Sequence, residues 1–273
     1  MTIKTITQPT SGKTFKLGRR TPVARGPRLS LKRYLSRALP SPPAEWDYTA
    51  PVSGVLGNIY LNDQLGDCVI AGMAHLESVF TASGTGTPVV FTDDQIIAAY
   101  SAIGGYVPGD PSTDNGCDEV TALNYWEQTG FEGHKIAGYL AVDATDKDEC
   151  AVAAWLFESL LFGVNLPDRW VDPMPASGGF TWGVAGAPNP KNGHCFISAK
   201  GNIAEGVSID TWGMSGLVTW AAVAAYASHV AGGDLFTVLT PEIVSRAIGN
   251  APNGFNWGQL LADFDAIGGK VAA

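Results

Sequence analysis

Leu61-Asn62-Asp63-Gln64-Leu65-Gly66-Asp67-Cys68 is the stretch that decides the fold. It ends where a helical pattern begins. Val69, Ile70, Met73, Leu76, Val79 and Phe80 recur at the spacing of one buried face, which predicts a helix over residues 69–80 with Cys68 at its start. A cysteine at a helix N-terminus sits in the positive end of the backbone dipole, which favours the nucleophilic thiolate. Gly66 permits a tight approach to that helix start. Asp67 works the other way, because a neighbouring carboxylate disfavours a second negative charge. Asn62 and Gln64 carry side-chain amides just upstream, where donors to a developing oxyanion would come from.

A cysteine nucleophile needs a histidine within hydrogen-bond reach. The chain has four: His75, His134, His194 and His229. His75 lies two turns along the same helix as Cys68, too far along it to meet the thiol. His134 and His229 flank helical segments without a partner motif and read as structural. His194 follows Asn192-Gly193 and opens the apolar run Cys195-Phe196-Ile197-Ser198-Ala199, at the entrance of a strand. Asp210 follows 16 residues later, at the end of the next strand. A hairpin of that length brings Asp210 beside His194, and Trp212 then covers their bond from water, which strengthens it.

Further out, Thr92-Asp93-Asp94-Gln95 holds a capping box that starts a helix over 93–101. Helices are expected over 120–129, ended by Gly130, and over 149–161, leading into a short strand at 162–167. Short β-like runs at 195–199, 205–211 and 217–220 follow, then a helix at 221–230 and two more helical stretches after Thr240 with Asn253-Gly254 between them. Helices first and strands later predict an α+β fold rather than alternating βαβ units. The 273 residues, 45% hydrophobic and 16% charged, suffice for the core of one large domain, and the eight tryptophans read mostly as part of it.

The charge is unevenly placed. Residues 1–44 carry ten Lys or Arg and no acid, while the rest carries seven basic residues against 26 acidic ones. Pro40-Ser41-Pro42-Pro43 breaks whatever precedes it. The expected organisation is therefore a basic Pro/Gly-rich arm (1–44), a main domain (45–239) and a C-terminal helical extension (240–273). The arm is expected to be disordered alone. Its Arg19, Arg20, Arg25, Arg28, Lys32 and Arg33 could attract an acidic partner surface or neighbouring subunits, nucleic acid, or the acidic body itself. Nucleic acid is the weakest of these, since Phe15 and Tyr34 alone are aromatic in the arm and the body repels phosphates.

No cofactor is expected: GxGxxG, P-loop, HExxH and GxSxG patterns are missing, and the four cysteines have no zinc-like spacing. Asp110, Asp114, Asp118 and Glu119 read as a polar loop rather than a calcium site. Gly178-Gly179-Phe180-Thr181-Trp182-Gly183 either lines a cleft or simply packs. No apolar run approaches a membrane span, and the N-terminus lacks the apolar region of a signal peptide. A reducing cytoplasm, or a virion, is the expected location.

Taken together, these segments resemble the papain-like cysteine peptidases over most of residues 40–220. Pro43-Ala44-Glu45-Trp46-Asp47 resembles the start of a mature enzyme. Asn62 to Cys68 is similar to the segment leading into the nucleophile helix, Phe91 to Gln95 to a later helix start, and Gly116-Cys117 with Ala122, Tyr125 and Gly130 to a further helical segment. Asn192-Gly193-His194 and Asp210-Thr211-Trp212-Gly213 resemble the histidine strand and the motif that follows it. The resemblance implies a papain-like fold with Cys68 as nucleophile, His194 as base, Asp210 in the orienting place usually held by Asn, Gln64 or Asn62 as oxyanion donor, and Gly66 and Trp212 in support. Gln64 stands four residues before Cys68 where the family has its donor at six, the position of Asn62. The family cysteine just before the nucleophile is missing, so Cys117 loses its usual disulfide partner. The Leu61–Cys68 segment also resembles proteins of bacteria and tailed phages without an assigned activity. Two functions follow as expectations. One is a cysteine hydrolase acting on a peptide or amide through a thioester. The other is a non-catalytic assembly protein, such as a phage head or tail component, docked through the basic arm.

Overall fold

The computed structural model describes residues 3–22, 29–35, 41–250 and 255–266. Arg25, Arg28, Pro40 and the Asn253-Gly254 pair lie outside the described residues. The chain opens with β1 (Lys4–Thr7) and β2 (Thr14–Leu17), then β3 (Glu45–Asp47). Three helices follow, α1 (Cys68–Thr85), α2 (Asp93–Gly104) and α3 (Glu119–Gln128). Next come β4 (Gly138–Ala141), α4 (Lys147–Leu156), β5 (Leu160–Asn165), the single turn α5 (Asp168–Val171) and β6 (Phe180–Trp182). The chain then forms β7 (Gly193–Asn202), β8 (Gly206–Thr211), β9 (Met214–Thr219), α6 (Trp220–Tyr226) and β10 (Asp234–Leu239), and finishes with α7 (Pro241–Asn250) and α8 (Trp257–Ala266).

Local chemistry sets most of these boundaries. The expected capping box is present at α2: the Thr92 hydroxyl accepts from the Gln95 N–H while Gln95 Oε1 accepts from the Thr92 N–H. α1 runs past the expected end at Phe80 and stops at Gly86, whose φ of 79° an L side chain resists. The helix expected to reach residue 161 ends at Leu156 instead. Glu158 turns the backbone at φ 61°, and Leu160, Leu161 and Phe162 enter a strand buried on both faces between β10 and β7. A continuous apolar run of that kind suits a central strand as well as a helix, and burial decided it.

Strands β3 to β10 form one mixed sheet in the order β4-β10-β5-β7-β8-β9-β6, with β3 on β7, antiparallel throughout except for the β6–β9 pair. β7 is its spine, paired with β5 along Gly193–Ser198, with β3 along Lys200–Asn202 and with β8. α1 packs across β7, which brings the helix start at Cys68 and the strand start at His194 to the same end of the molecule. The architecture is α+β, a helical half against a β-rich half.

The arm does not stand apart. β1 and β2 form a hairpin, and Ile6, Phe15, Leu17, Leu31 and Tyr34 are buried in the same core as the helices and the sheet. Its charges pair with the body: Lys16 with Asp114 at 2.6 Å, Lys32 with Asp146 at 3.6 Å and Arg33 with Asp263 at 3.7 Å. The expectation that Arg19 waits for a separate partner is corrected, because Arg19 is buried among the acids of its own chain. Of the three attractions left open for the arm, the described residues satisfy the intramolecular one. At the other end, Ile243, Val244 and Ala247 of α7 are buried in that same core. Among the described residues no helix is long and apolar enough to cross a membrane.

Candidate active site

Cys68 is the first residue of α1 and is fully buried. Burial pushes its thiol up to about 12, against hydrogen bonds from the backbone of Cys195 and Gly18 that favour the thiolate. Asp67 precedes it without capping the helix through its side chain. The Asp67 carboxyl is itself buried and pushed well above the usual carboxylate range, chiefly by desolvation. That favours its neutral form and weakens the repulsion expected between Asp67 and a Cys68 thiolate.

His194 opens the inward side of β7. Its ring is buried, and burial drives it down to about 3, so the imidazole is neutral. Nε2 lies 2.6 Å from Thr211 Oγ1, and Nδ1 is buried with no hydrogen-bond partner among the described residues. Trp212 stacks on the ring, centroids 4.5 Å apart and planes at 24°. Phe15 of the arm packs in turn on Trp212, at 6.0 Å.

Cys68 and His194 line one seam between α1 and the sheet, together with Asn58, Asn62, His75, Asp210, Thr211 and Trp212. The free space in it is about 20 Å³, hardly more than one water molecule needs. His75, set aside in the sequence reading for its distance along the helix, therefore shares the seam with the thiol. Its Nε2 lies 3.1 Å from the Asn58 carbonyl, its ring packs on Tyr60, and burial lowers it to about 4.

The expected Asp210–His194 bond is not formed, and register explains why. Asp210 stands opposite Ile197, so by strand alternation it shares the face of Ile197 and Cys195, not that of His194 and Phe196. The pairing of β7 and β8 shifts between Ile197 and Lys200. Continued without that bulge, the Lys200–Ser208 register would have put Asp210 opposite Ser198, on the histidine's face. The bulge gives the histidine to Thr211. Asp210 instead accepts the hydroxyl of Ser215, its cross-strand neighbour on β9, and burial raises its carboxyl to about 6.

Neither upstream amide faces the thiol with a free donor. Asn62 Nδ2 donates to the carbonyls of Lys16 (3.1 Å) and Leu65 (3.2 Å) and reaches Asp67 Oδ1 at 3.4 Å. Gln64 is exposed and does not line the seam.

The arm accounts for much of this closure. Lys16 N–H donates to Asn62 O at 2.9 Å, Cys117 N–H to Gly18 O at 3.2 Å, Arg20 N–H to Cys117 O at 2.8 Å, and Arg19 N–H to Gly193 O at 3.1 Å. Residues 16–20 thus run between the segment before α3 and the start of β7, over the start of α1. The crossing is possible because glycine meets glycine: a Cβ on Gly18 would fall 1.9 Å from Gly66 O, and one on Gly116 would fall 1.8 Å from Gly18 O. Gly66 makes room for the arm at the helix start as well, since a Cβ there would fall 2.1 Å from Ile3 Cδ1.

Beside this crossing the Arg19 side chain enters a buried acidic pocket. Nε donates to Glu119 Oε1 at 3.0 Å, Nη2 to Asp234 Oδ2 at 3.0 Å, and Nη1 to Gly232 O at 2.8 Å and to Asn165 Oδ1 at 3.5 Å. Burial opposes the charge on Arg19, but Glu119 and Asp234 outweigh it and its pKa is raised. The sequence reading missed Thr211, Glu119 and Asp234. Thr211 sits inside the Asp210-Thr211-Trp212 motif and was passed over for its more acidic neighbour. Glu119 and Asp234 are 100 and 215 residues from Arg19, and no local pattern links them.

Asp110 and Asp118 are occupied as caps, and Asp114 accepts from Lys16, Gly66 and Tyr100. Among the described residues no group of three or more His, Cys, Asp or Glu is placed to hold a metal. All four cysteines are free and buried.

No protein-family model and no curated protein matches the chain. Solved structures do. Xylellain, a cysteine protease from Xylella fastidiosa, superposes with a TM-score of 0.60 at 13% identity, over 88% of this chain and 99% of that one. The ragweed pollen allergen Amb a 11, a cysteine protease in its proform, gives 0.55 at 13% over 79% and 72%. Digestive procathepsin L 3 of Tenebrio molitor gives 0.54 at 14% over 82% and 76%. The fold is that of the papain-like cysteine proteases.

Proposed function

We propose that this chain is a cysteine hydrolase of peptide or amide bonds, with Cys68 as nucleophile and His194 as base, held closed by its own N-terminal segment. The observation that carries the reading is the pairing of a helix-start cysteine with a histidine whose Nδ1 has no hydrogen-bond partner, in one seam of a protease fold. An unpartnered buried ring nitrogen costs stability, and a nitrogen kept for proton transfer explains the cost.

The present pKa directions follow from closure. Withdrawal of residues 16–20 admits water, which removes much of the desolvation that holds Cys68 as thiol and His194 as neutral imidazole. The thiol then passes its proton to His194, and the helix dipole and the Cys195 N–H favour the thiolate. Attack on the substrate carbonyl gives a tetrahedral oxyanion. His194 returns the proton to the departing amine, leaving a thioester that water hydrolyses with the same histidine as base. Thr211, on Nε2, takes the orienting role that the sequence reading assigned to Asp210. Trp212 shields that bond.

Timed alkylation of the folded chain with iodoacetamide, read by mass spectrometry, tests this. Cys68 is expected to react before Cys117, Cys150 and Cys195. His194→Ala is expected to slow Cys68 by about tenfold or more, a difference of about 1.4 kcal/mol, without changing the other three. One common rate for all four cysteines would remove the reading and leave a non-catalytic assembly role for the same fold.

A further inference from the structure

The arm is bound as a ligand is bound, and its side chains show what the cleft selects. Between Lys16 and Arg20 the backbone makes hydrogen bonds to both walls, at Asn62 and Cys117 on one side and Gly193 on the other. Gly18 lies at the thiol, and Arg19 fills the acidic pocket next to it. Both carboxylates there and the Gly232 carbonyl meet the planar guanidinium at 2.8–3.0 Å, each on a different nitrogen. A fork of donors answered by separate acceptors is recognition of guanidinium, not of positive charge alone, since an ammonium cannot span the same set. Building such a pocket is costly, because a guanidinium and two carboxyl groups leave water together.

The arm also escapes the chemistry it covers. Gly18 turns its N–H toward the Cys68 sulfur, while its carbonyl accepts from the Cys117 N–H.

We propose that the pocket of Glu119, Asp234, Asn165 and the Gly232 carbonyl is the specificity pocket of the cleft, that it takes an arginine side chain of an extended peptide with a small residue beside it, and that residues 16–20 are its resident, uncleavable occupant. The identity of the pocket as part of a substrate cleft rests on the hydrolase reading above. Its selectivity for guanidinium does not.

The test uses the full chain carrying Arg19→Ala. Its thermal midpoint is expected to fall, and millimolar ethylguanidinium is expected to restore much of the loss by refilling the pocket, while ethylammonium at equal ionic strength restores none. A blocked peptide of residues 14–22 is expected to slow Cys68 alkylation in that variant by about tenfold, equivalent to about 1.4 kcal/mol, whereas the same peptide with Arg19→Ala is inert. Equal effects of ethylguanidinium and ethylammonium, or none from either on the folded variant, would overturn the proposal. Should Arg19→Ala not fold, Arg19→Lys replaces it: faster Cys68 alkylation than in the wild type supports the pocket, and an unchanged rate overturns it. Rescue of the midpoint by ethylguanidinium beside a Cys68 that shows no selective reactivity would keep the pocket's selectivity for guanidinium and remove the hydrolase reading, and with it the pocket's place in a substrate cleft.

Discussion

Two buried polar regions lie side by side in this cleft, and they are built in opposite ways. Around Arg19 every nitrogen of the guanidinium meets an acceptor. In the seam of Cys68 and His194, His194 Nδ1 and His75 Nδ1 are buried without partners among the described residues, as is Asp67 Oδ2 at the adjoining helix start. The first region is complete in its hydrogen bonds; the second is not. Buried polar groups are expensive when unpaired, so a fold that leaves several together keeps them for a reason other than stability. Perturbing the first region should therefore cost stability, and neutralising parts of the second should cost little or bring a gain.

The largest effect is expected at the pocket. Glu119→Gln leaves Arg19 with one carboxylate in a buried site, and breaking such a pair costs roughly 3–5 kcal/mol. The urea midpoint should drop accordingly, and replacing both partners, Arg19→Met with Glu119→Leu, should recover a large part. A small loss in Glu119→Gln would erase the contrast between the regions.

Asp210 gives the opposite sign. Its carboxyl titrates near 3.8 in the unfolded chain and is raised to about 6 in the fold by burial. Between those values the folded state binds more protons than the unfolded one, so this group's contribution to stability declines as pH rises and is lost above about 6. Asp210→Asn keeps an acceptor for Ser215 and abolishes the titration. It should match the wild type near pH 3.5 and exceed it at pH 7 by up to about 3 kcal/mol. A stability difference that does not vary with pH would show that Asp210 is not raised.

Gly18→Ala tests the crossing between the two regions. The added methyl falls 1.9 Å from Gly66 O, and overpacking of this kind costs about 1–3 kcal/mol. Hydrogen exchange should show the N–H groups of Lys16, Arg19 and Arg20 losing protection while the amides of β7 keep theirs. The smallest effect is expected for Thr211→Val, which takes the partner from His194 Nε2 at a cost of about 1–2 kcal/mol. Thr211→Ser should be close to neutral. A cost for Thr211→Val as large as that of Glu119→Gln would mean the seam is structural.

Much of the fold was legible from local chemistry. Apolar spacing after Cys68, the Thr92–Gln95 capping box and the run from His194 placed α1, α2 and β7, because each rests on residues within a turn or two of one another. The segment at 157–161 was misread as helix, since an apolar run fits a buried strand equally well and Glu158 gives no warning of its turn. The arm was legible only in part: its composition left an acidic partner, nucleic acid and its own body open, and gave no sign that Phe15 and Leu17 are core residues and Arg19 a buried ion.

The sequence by itself determined that a histidine at a strand entrance, with a tryptophan to cover it, would stand with Cys68, and that a basic segment had an acidic body to receive it. Tertiary structure alone decided how they are used. A one-residue shift between β7 and β8 gave His194 to Thr211 and Asp210 to Ser215, because strand side chains alternate faces and a bulge exchanges them. Arg19 found acids 100 and 215 positions away, a pairing that exists only once helix, sheet and arm have packed and excluded water around it.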